Sequence, residues 1–245
     1  MSEKKLGVLI DAENAQASVL PRLLEEVSKL GVATARRIYG DFTDLQMKSW
    51  SAKLLEHSIL PVQQFRNTAG KNASDSALII DAMDLLHSKK FDGFCIVSSD
   101  SDFTRLASRI REEGLVVYGF GERKTPQAFV VACDKFIYTE ILRPGLDGAP
   151  ARKEPSATVP VRALRDAEAP IQMIRNAVEE SSGDDGWANL GSVGTLISKR
   201  APDFDSRNFG HQKLASFMEA LGVFEVERRK PENGSPPIVY VRVRQ

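Results

Sequence analysis

Four aspartates occupy positions from which a folded chain could gather them. Asp11 closes an apolar run in VLIDAEN, and Asn14 follows one turn later. Asp75 opens the stretch GKNASDSALIIDAMDLL, with Asp81 six residues on. Asp100 and Asp102 come directly after a second apolar run, in FCIVSSDSDF. Lys71 is the single Lys or Arg within these motifs. Unpaired carboxylates brought together repel one another and raise one another's pKa. A divalent cation offsets that repulsion, and an oxygen-only ligand set suits Mg²⁺ or Mn²⁺. Such ions activate water and clamp phosphoryl oxygens during in-line displacement. The chemistry to expect is metal-dependent phosphodiester hydrolysis. Each acid has a plainer alternative, since Asp75 and Asp102 could be helix N-caps. Asp11 is harder to explain that way, because a carboxylate ending a buried strand is desolvated.

These residues need elements to position them. LGVLI (6–10), ATARRIYG (33–40), ILPVQQF (59–65), FDGFCIVS (91–98), LVVYGFG (115–121) and KFIYTEIL (135–142) have strand character. Helical spacing separates them over 19–31, 45–57, 74–88 and 102–113, with a shorter stretch over 126–132. Alternating strands and helices imply right-handed βαβ units and an α/β fold with a mostly parallel sheet covered on both faces. The near-continuous apolar strands LGVLI and FCIV fit burial on both faces. Ligands in such sheets bind beyond the carboxyl ends of the strands, where Asp11 and Asp100 lie. If the first strand is central, the strands ending at Asp11 and near Asp100 can be neighbours.

The pattern breaks at Arg143. Residues 144–168 are rich in Pro, Ala, Gly and charge and read as a flexible linker. It separates a first domain, 1–143, from a second, 169–245. The second reads as a helix from Pro170, a short link at Trp187–Leu190, a further helix ending before Pro202, and a third capped by Asp205 or Ser206 and stopped by Gly222. Two strands then follow, joined by KPENGSPP with its Asn-Gly turn. Three helices and a β-hairpin make a small winged helix-turn-helix. Lys199, Arg200, Arg207, Asn208, His211 and Lys213 cluster around the helix-turn-helix, and Arg228, Arg229 and Lys230 lie at the wing. They are candidates for phosphate contacts, against the alternative of a solvated face. Trp187, Phe204, Phe209 and Phe217 read as core rather than as stacking surfaces.

Composition removes other classes. The 245 residues are 42% hydrophobic and 27% charged, as in soluble globular proteins. No run of eighteen apolar residues is present, which argues against a membrane span, and the short apolar run near the N-terminus is below the roughly 7–15 residues of a signal-peptide core. A cytoplasmic location is expected. Lys+Arg and Asp+Glu balance at 33 each, so net charge alone does not point to nucleic acid. Cys95 and Cys133 have no zinc-ligand spacing and read as buried free thiols. The three histidines, His57, His87 and His211, are too scattered to suggest a Ser-His-Asp hydrolase. A haloacid-dehalogenase phosphatase needs Asp where Glu13 stands, and there is neither a P-loop nor a Gly-x-Gly-x-x-Gly after a strand.

VLIDAEN (8–14), RIYGDF (37–42), GKNASDSALIIDAMDLL (70–86) and VSSDSDFTRLASRIREEGLVVYGFG (97–121) together resemble the NYN domain, a branch of the PIN-like nucleases, and in particular its bacterial LabA-like group. The resemblance implies an αβα sandwich with a central parallel sheet and Mg²⁺- or Mn²⁺-dependent ribonuclease activity at an acidic pocket. Asp11, Asp75, Asp100 and Asp102 would be metal ligands, and Asn14 would orient a ligand or water. Asp81 matches the second acid of the helix motif. Where the family usually has Ser-Gly-Asp-Ser-Asp this chain has Ser99 for Gly, a departure that crowds the turn but removes no carboxylate. PIQMIRNAVEE, GWANLGSVGTLISKRAPDFDSRNFGHQKLASFMEALGVFEV and YVRVR resemble the OST-HTH or LOTUS domain, associated with RNA binding. The expected function is metal-dependent RNA hydrolysis on single-stranded or structured RNA. The alternative is an RNA-binding regulatory or scaffold protein with a weak or silent catalytic domain. DNA as substrate and homo-oligomer formation are left open by the residues.

Overall fold

The structure, a computed structural model, describes residues 3–44, 47–65, 73–143, 161–230 and 236–244. The chain divides into two compact units, Met1–Gly148 and Ala149–Gln245. Of the expected linker, 144–160 lie outside the described residues, and 161–168 belong to a helix.

In the first unit β1 (Lys5–Asp11), β2 (Val32–Gly40), β3 (Leu60–Gln63), β4 (Gly93–Val97), β5 (Val116–Gly121) and β6 (Lys135–Tyr138) form one sheet. Its order is β3-β2-β1-β4-β5-β6, and every pair is parallel. Helices α1 (Leu20–Leu30), α2 (Lys48–Glu56), α3 (Ala73–His87), α4 (Thr104–Glu112) and α5 (Gln127–Ala132) connect the strands. This is the expected α/β sandwich of PIN-like type. Alternation along β1 divides the core in two. Val8 and Ile10 pack with Leu20, Leu23 and Trp50 of α1 and α2. Leu9 packs with Leu78, Leu106 and Phe129 of α3, α4 and α5. Fully burying each such side chain stabilises by roughly 1.5–3 kcal/mol. Pro61 sits in β3, an edge strand, where its missing N–H interrupts no interior ladder.

β1 and β4 are the two central neighbours, with Ile10 opposite Val97. Connections leave β1 towards one side of the sheet and β4 towards the other, so the crevice beyond their carboxyl ends is the topological switch point where ligands bind in open α/β sheets. Crossover helices run back along the sheet, so α3 begins at this same edge, with Asp75 in its first turn. The predicted last strand is shorter than expected, because Thr139–Leu142 form a 3₁₀ turn.

The second unit contains α6 (Val161–Ser181), β7 (Ala188–Asn189), α7 (Leu190–Arg200), α8 (Leu214–Leu221), β8 (Phe224–Arg229) and β9 (Ile238–Val243). Helix α6 starts before Pro170, where the sequence placed the helix start, because VRALRDAEA is rich in good helix formers. The expected third helix is split. Asp205 caps a 3₁₀ turn at Ser206–Phe209, and Gly210 ends it in the left-handed region at φ +82° before α8 begins. Residues 188–189, read as a link, pair with β9 and make a three-stranded antiparallel sheet of order β7-β9-β8. The Asn-Gly turn lies outside the described residues. Ile174, Val193, Ile197, Phe217, Phe224 and Val241 form the core of this unit. No described helix in either unit is long and apolar enough to cross a membrane.

Candidate functional site

The pocket is built on Asp11, which ends β1 and is 1% exposed. Its Oδ1 accepts from the backbone N–H of Glu13 at 3.0 Å and of Asn14 at 3.3 Å. Its Oδ2 accepts from Asn14 Nδ2 at 2.8 Å and from Ser98 Oγ at 2.7 Å. Asn14 therefore orients the Asp11 carboxylate, where the sequence suggested that it would orient a ligand or water. Burial pushes the Asp11 carboxyl up, against the four hydrogen bonds, which pull it down. A carboxylate has about four lone-pair sites, and here four donors take them.

Ser98 passes the arrangement on to β4. Its Oγ accepts the Asp100 N–H at 3.1 Å, and Asp100 Oδ1 accepts the Asp102 N–H at 2.9 Å. The cap of the turn after β4 is thus Asp100 rather than Asp102. Asp102 lies inside the 3₁₀ turn Ser101–Phe103, which is held in place by the fully buried Phe103 ring. Asp75 likewise sits in the first turn of α3 and not before it. Ser99 does more than crowd the turn, because its Oγ accepts the Glu122 N–H at 2.9 Å and ties the β4 and β5 ends together.

Asp75, Asp100 and Asp102 each offer a carboxylate oxygen, and these three atoms lie within 4.8 Å of one another. The Asp75 carboxyl is pushed up to about 6, first by burial and then by the charges of Asp11, Asp100, Glu13 and Asp102. Three converging carboxylate oxygens form a donor set that fits a hard divalent cation. Asp11 belongs to the same charge cluster but stands outside the group of three, as the hydrogen-bonded floor beneath it. Glu13, unassigned in the sequence reading, also belongs to the pocket, since Ser74 Oγ lies 3.4 Å from its Oε1. Ser98 was missed as well. The signal that could have found it is the need of any buried strand-end carboxylate for a donor from the adjacent strand.

Asp81 faces away from the pocket. It accepts from Tyr39 Oη at 2.5 Å and pairs with Arg37, clamping α3 to β2. Lys71 lies outside the described residues.

The family comparison decides the assignment. The NYN domain matches residues 5–142, and the OST-HTH/LOTUS domain matches residues 165–236. The chain belongs to the NYN domain family. The NYN unit carries the sheet and the acidic pocket just described, and PIN-like nuclease domains of this kind typically use divalent metals. The LOTUS domain points to RNA. A search of curated proteins gives no match. Among solved structures, a Vibrio parahaemolyticus protein of unknown function is 18% identical, with a TM-score of 0.46, over 55% of this chain and 91% of its own. An uncharacterised Nitrosomonas europaea protein is 32% identical, with a TM-score of 0.29, over 40% of this chain and 87% of its own. A Chromobacterium violaceum fragment is 36% identical, with a TM-score of 0.25, over 30% of this chain and 77% of its own.

In the LOTUS unit the arginines expected at RNA have acidic partners. Arg200 pairs with Glu180 at 2.5 Å, Arg228 with Glu219 at 3.0 Å, and Arg207 closes on Asp205 at 2.7 Å. His211 lies 5.5 Å, centroid to centroid, from the Phe217 ring. Lys199 and Lys213 are exposed. Phe204, Phe209 and Phe217 form the expected core cluster, with Phe209 and Phe217 stacked at 4.8 Å. Trp187 does not join it. Ala188 takes the inward position of β7, and strand alternation turns Trp187 to the outer face.

Proposed function

We propose that this chain is a metal-dependent ribonuclease whose NYN unit hydrolyses RNA phosphodiester bonds and whose LOTUS unit binds the RNA. The observation that carries this reading is the convergence of Asp75, Asp100 and Asp102 at the switch point, above a buried and fully hydrogen-bonded Asp11. Asp75, Asp100 and Asp102 hold Mg²⁺ or Mn²⁺, and Asp11 adds the negative field of the pocket floor. When bound, the ion supplies Lewis-acid polarisation of the phosphoryl group and a lowered pKa for water. Ser98 and Asn14 fix the Asp11 carboxylate, and the Asp100 cap fixes the turn bearing Asp102, so the acids are pre-set rather than gathered by the ion. The Asp75 carboxyl, pushed up to about 6, would have to give up its proton to take the ion.

The test is cleavage of a panel of single-stranded, structured and DNA oligonucleotides by the full chain, with EDTA and with Mg²⁺ or Mn²⁺ restored. RNA cleavage that needs the ion and falls about 10- to 100-fold in Asp11→Asn supports the reading. Absence of cleavage on every RNA, with RNA binding retained, favours the scaffold alternative. Cleavage of DNA alone contradicts the substrate assignment.

A further inference from the structure

Antiparallel alternation in the three-stranded sheet of the LOTUS unit gives it two faces. Val241 of β9 and Phe224 of β8 are buried against the helices. Their neighbours Tyr240 and Arg242 face the other way, as does Arg229 of β8. Trp187, turned outward just before β7, joins them. The Arg229 guanidinium lies 4.5 Å from the Tyr240 ring centroid and 5.0 Å from that of Trp187. The Arg242 guanidinium lies 4.7 Å from the Trp187 ring. Glu225 holds Arg242 at 2.6 Å and Glu227 holds Arg229 at 3.1 Å. Two aromatic rings and two guanidinium planes thus share one outer sheet face, with their orientations fixed.

We propose that this outer sheet face, centred on Trp187 and Tyr240, is a stacking platform for the unpaired bases of single-stranded RNA. The proposal rests on the reading of the LOTUS unit as an RNA-binding module and moves the contact surface from the helix-turn-helix to the sheet. The helix-turn-helix arginines are neutralised by acids of their own unit, which weakens a phosphate-reading role. The sheet face offers what unpaired bases use, namely aromatic and guanidinium planes on which any base can stack. A duplex buries those base faces and has nothing to place there. Glu225 and Glu227 keep the face from being strongly positive, so binding there draws on stacking more than on phosphate neutralisation. Its affinity should depend only weakly on salt.

Intrinsic fluorescence tests this without a variant. The chain has two tryptophans, and Trp50 is 3% exposed in the core of the first unit. Single-stranded RNA added to the full chain in EDTA should therefore quench Trp187 emission, while a duplex of the same sequence should not. Trp187→Phe should abolish the quench. Tyr240→Ala should weaken single-strand binding, followed by fluorescence anisotropy, about tenfold and leave duplex binding unchanged. If single-stranded RNA binds with Trp187 emission unmoved and full affinity in Tyr240→Ala, the platform is wrong and the RNA-binding reading stands. If no RNA binds at all, the RNA-binding reading falls and takes the platform with it.

Discussion

Ser98 Oγ donates to Asp11 Oδ2 at 2.7 Å, linking the carboxyl ends of the two central strands beneath the acidic pocket. Both groups are 1% exposed, so neither can exchange the other for water. Ser98→Ala leaves a buried carboxylate short of a donor. It should destabilise the protein by about 1–3 kcal/mol in urea unfolding at neutral pH. The same substitution should lower ion-dependent RNA cleavage by about tenfold, because a positioning contact to the pocket floor is lost. Unchanged stability would show that Asp11 does not depend on this bond.

The repulsion among the acids has a pH signature. The Asp75 carboxyl titrates at about 6 in the fold, against an ordinary value of 3.8. A group whose pKa is raised by folding binds its proton more tightly in the native state. Its stabilising contribution is complete below 3.8 and is lost as the pH rises through 6. Asp11, also raised, acts in the same direction. The ion-free protein should therefore lose melting temperature between about pH 4 and pH 7. Mn²⁺ should raise the melting temperature much more at about pH 7.5 than at about pH 5, where protons compete for the ligands. Asp75→Asn should melt higher than wild type without ion at neutral pH and gain little from Mn²⁺.

Asp81 supplies the control for a carboxylate on the same helix that plays no part in the pocket. Tyr39 is fully buried, and its hydroxyl donates to Asp81 at 2.5 Å. Asp81→Ala orphans that hydroxyl and releases Arg37, with an expected cost of about 1–3 kcal/mol in chemical denaturation. The Mn²⁺-dependent rise in melting temperature should survive. Its loss would place Asp81 in the ion site.

Both thiols are buried, and burial pushes the Cys133 thiol up to about 12 and that of Cys95 higher still. The thiolate is the reactive form, so a disulfide reagent should label the native protein slowly and the urea-unfolded protein at once. Rapid labelling of the native state would mean that the core on one face of the sheet, that of Cys95 or that of Cys133, opens readily.

The parallel sheet was legible because each strand and helix carries its own periodicity, and LGVLI and FCIV are apolar enough to demand burial on both faces. The four acids were legible because each follows a strand or opens a helix at one edge of such a sheet. Ser98 was not, because a hydrogen bond between residues 87 positions apart leaves no local trace. The cap was sought at Asp102, because Asp100 and Asp102 both stand where a cap could fall and only the backbone of the turn chooses Asp100. Trp187 was misread for a related reason. Its outward position is set by pairing of β7 with β9, and a two-residue strand is too short to announce itself. The split at Gly210 was hidden because SRNF and LASFMEAL each look helical, and the left-handed Gly210 and extended Lys213 that separate them leave little mark on the pattern.

The central claim is that Asp75, Asp100 and Asp102 together hold a divalent cation. The most direct measurement is anomalous X-ray diffraction from crystals of the full chain soaked in Mn²⁺ at about pH 7.5. The account predicts an anomalous peak within about 2.0–2.6 Å of oxygens from these three carboxylates, absent from Asp100→Asn crystals soaked in the same way. A wild-type pocket that stays without a peak, with its carboxylates splayed apart, would contradict it.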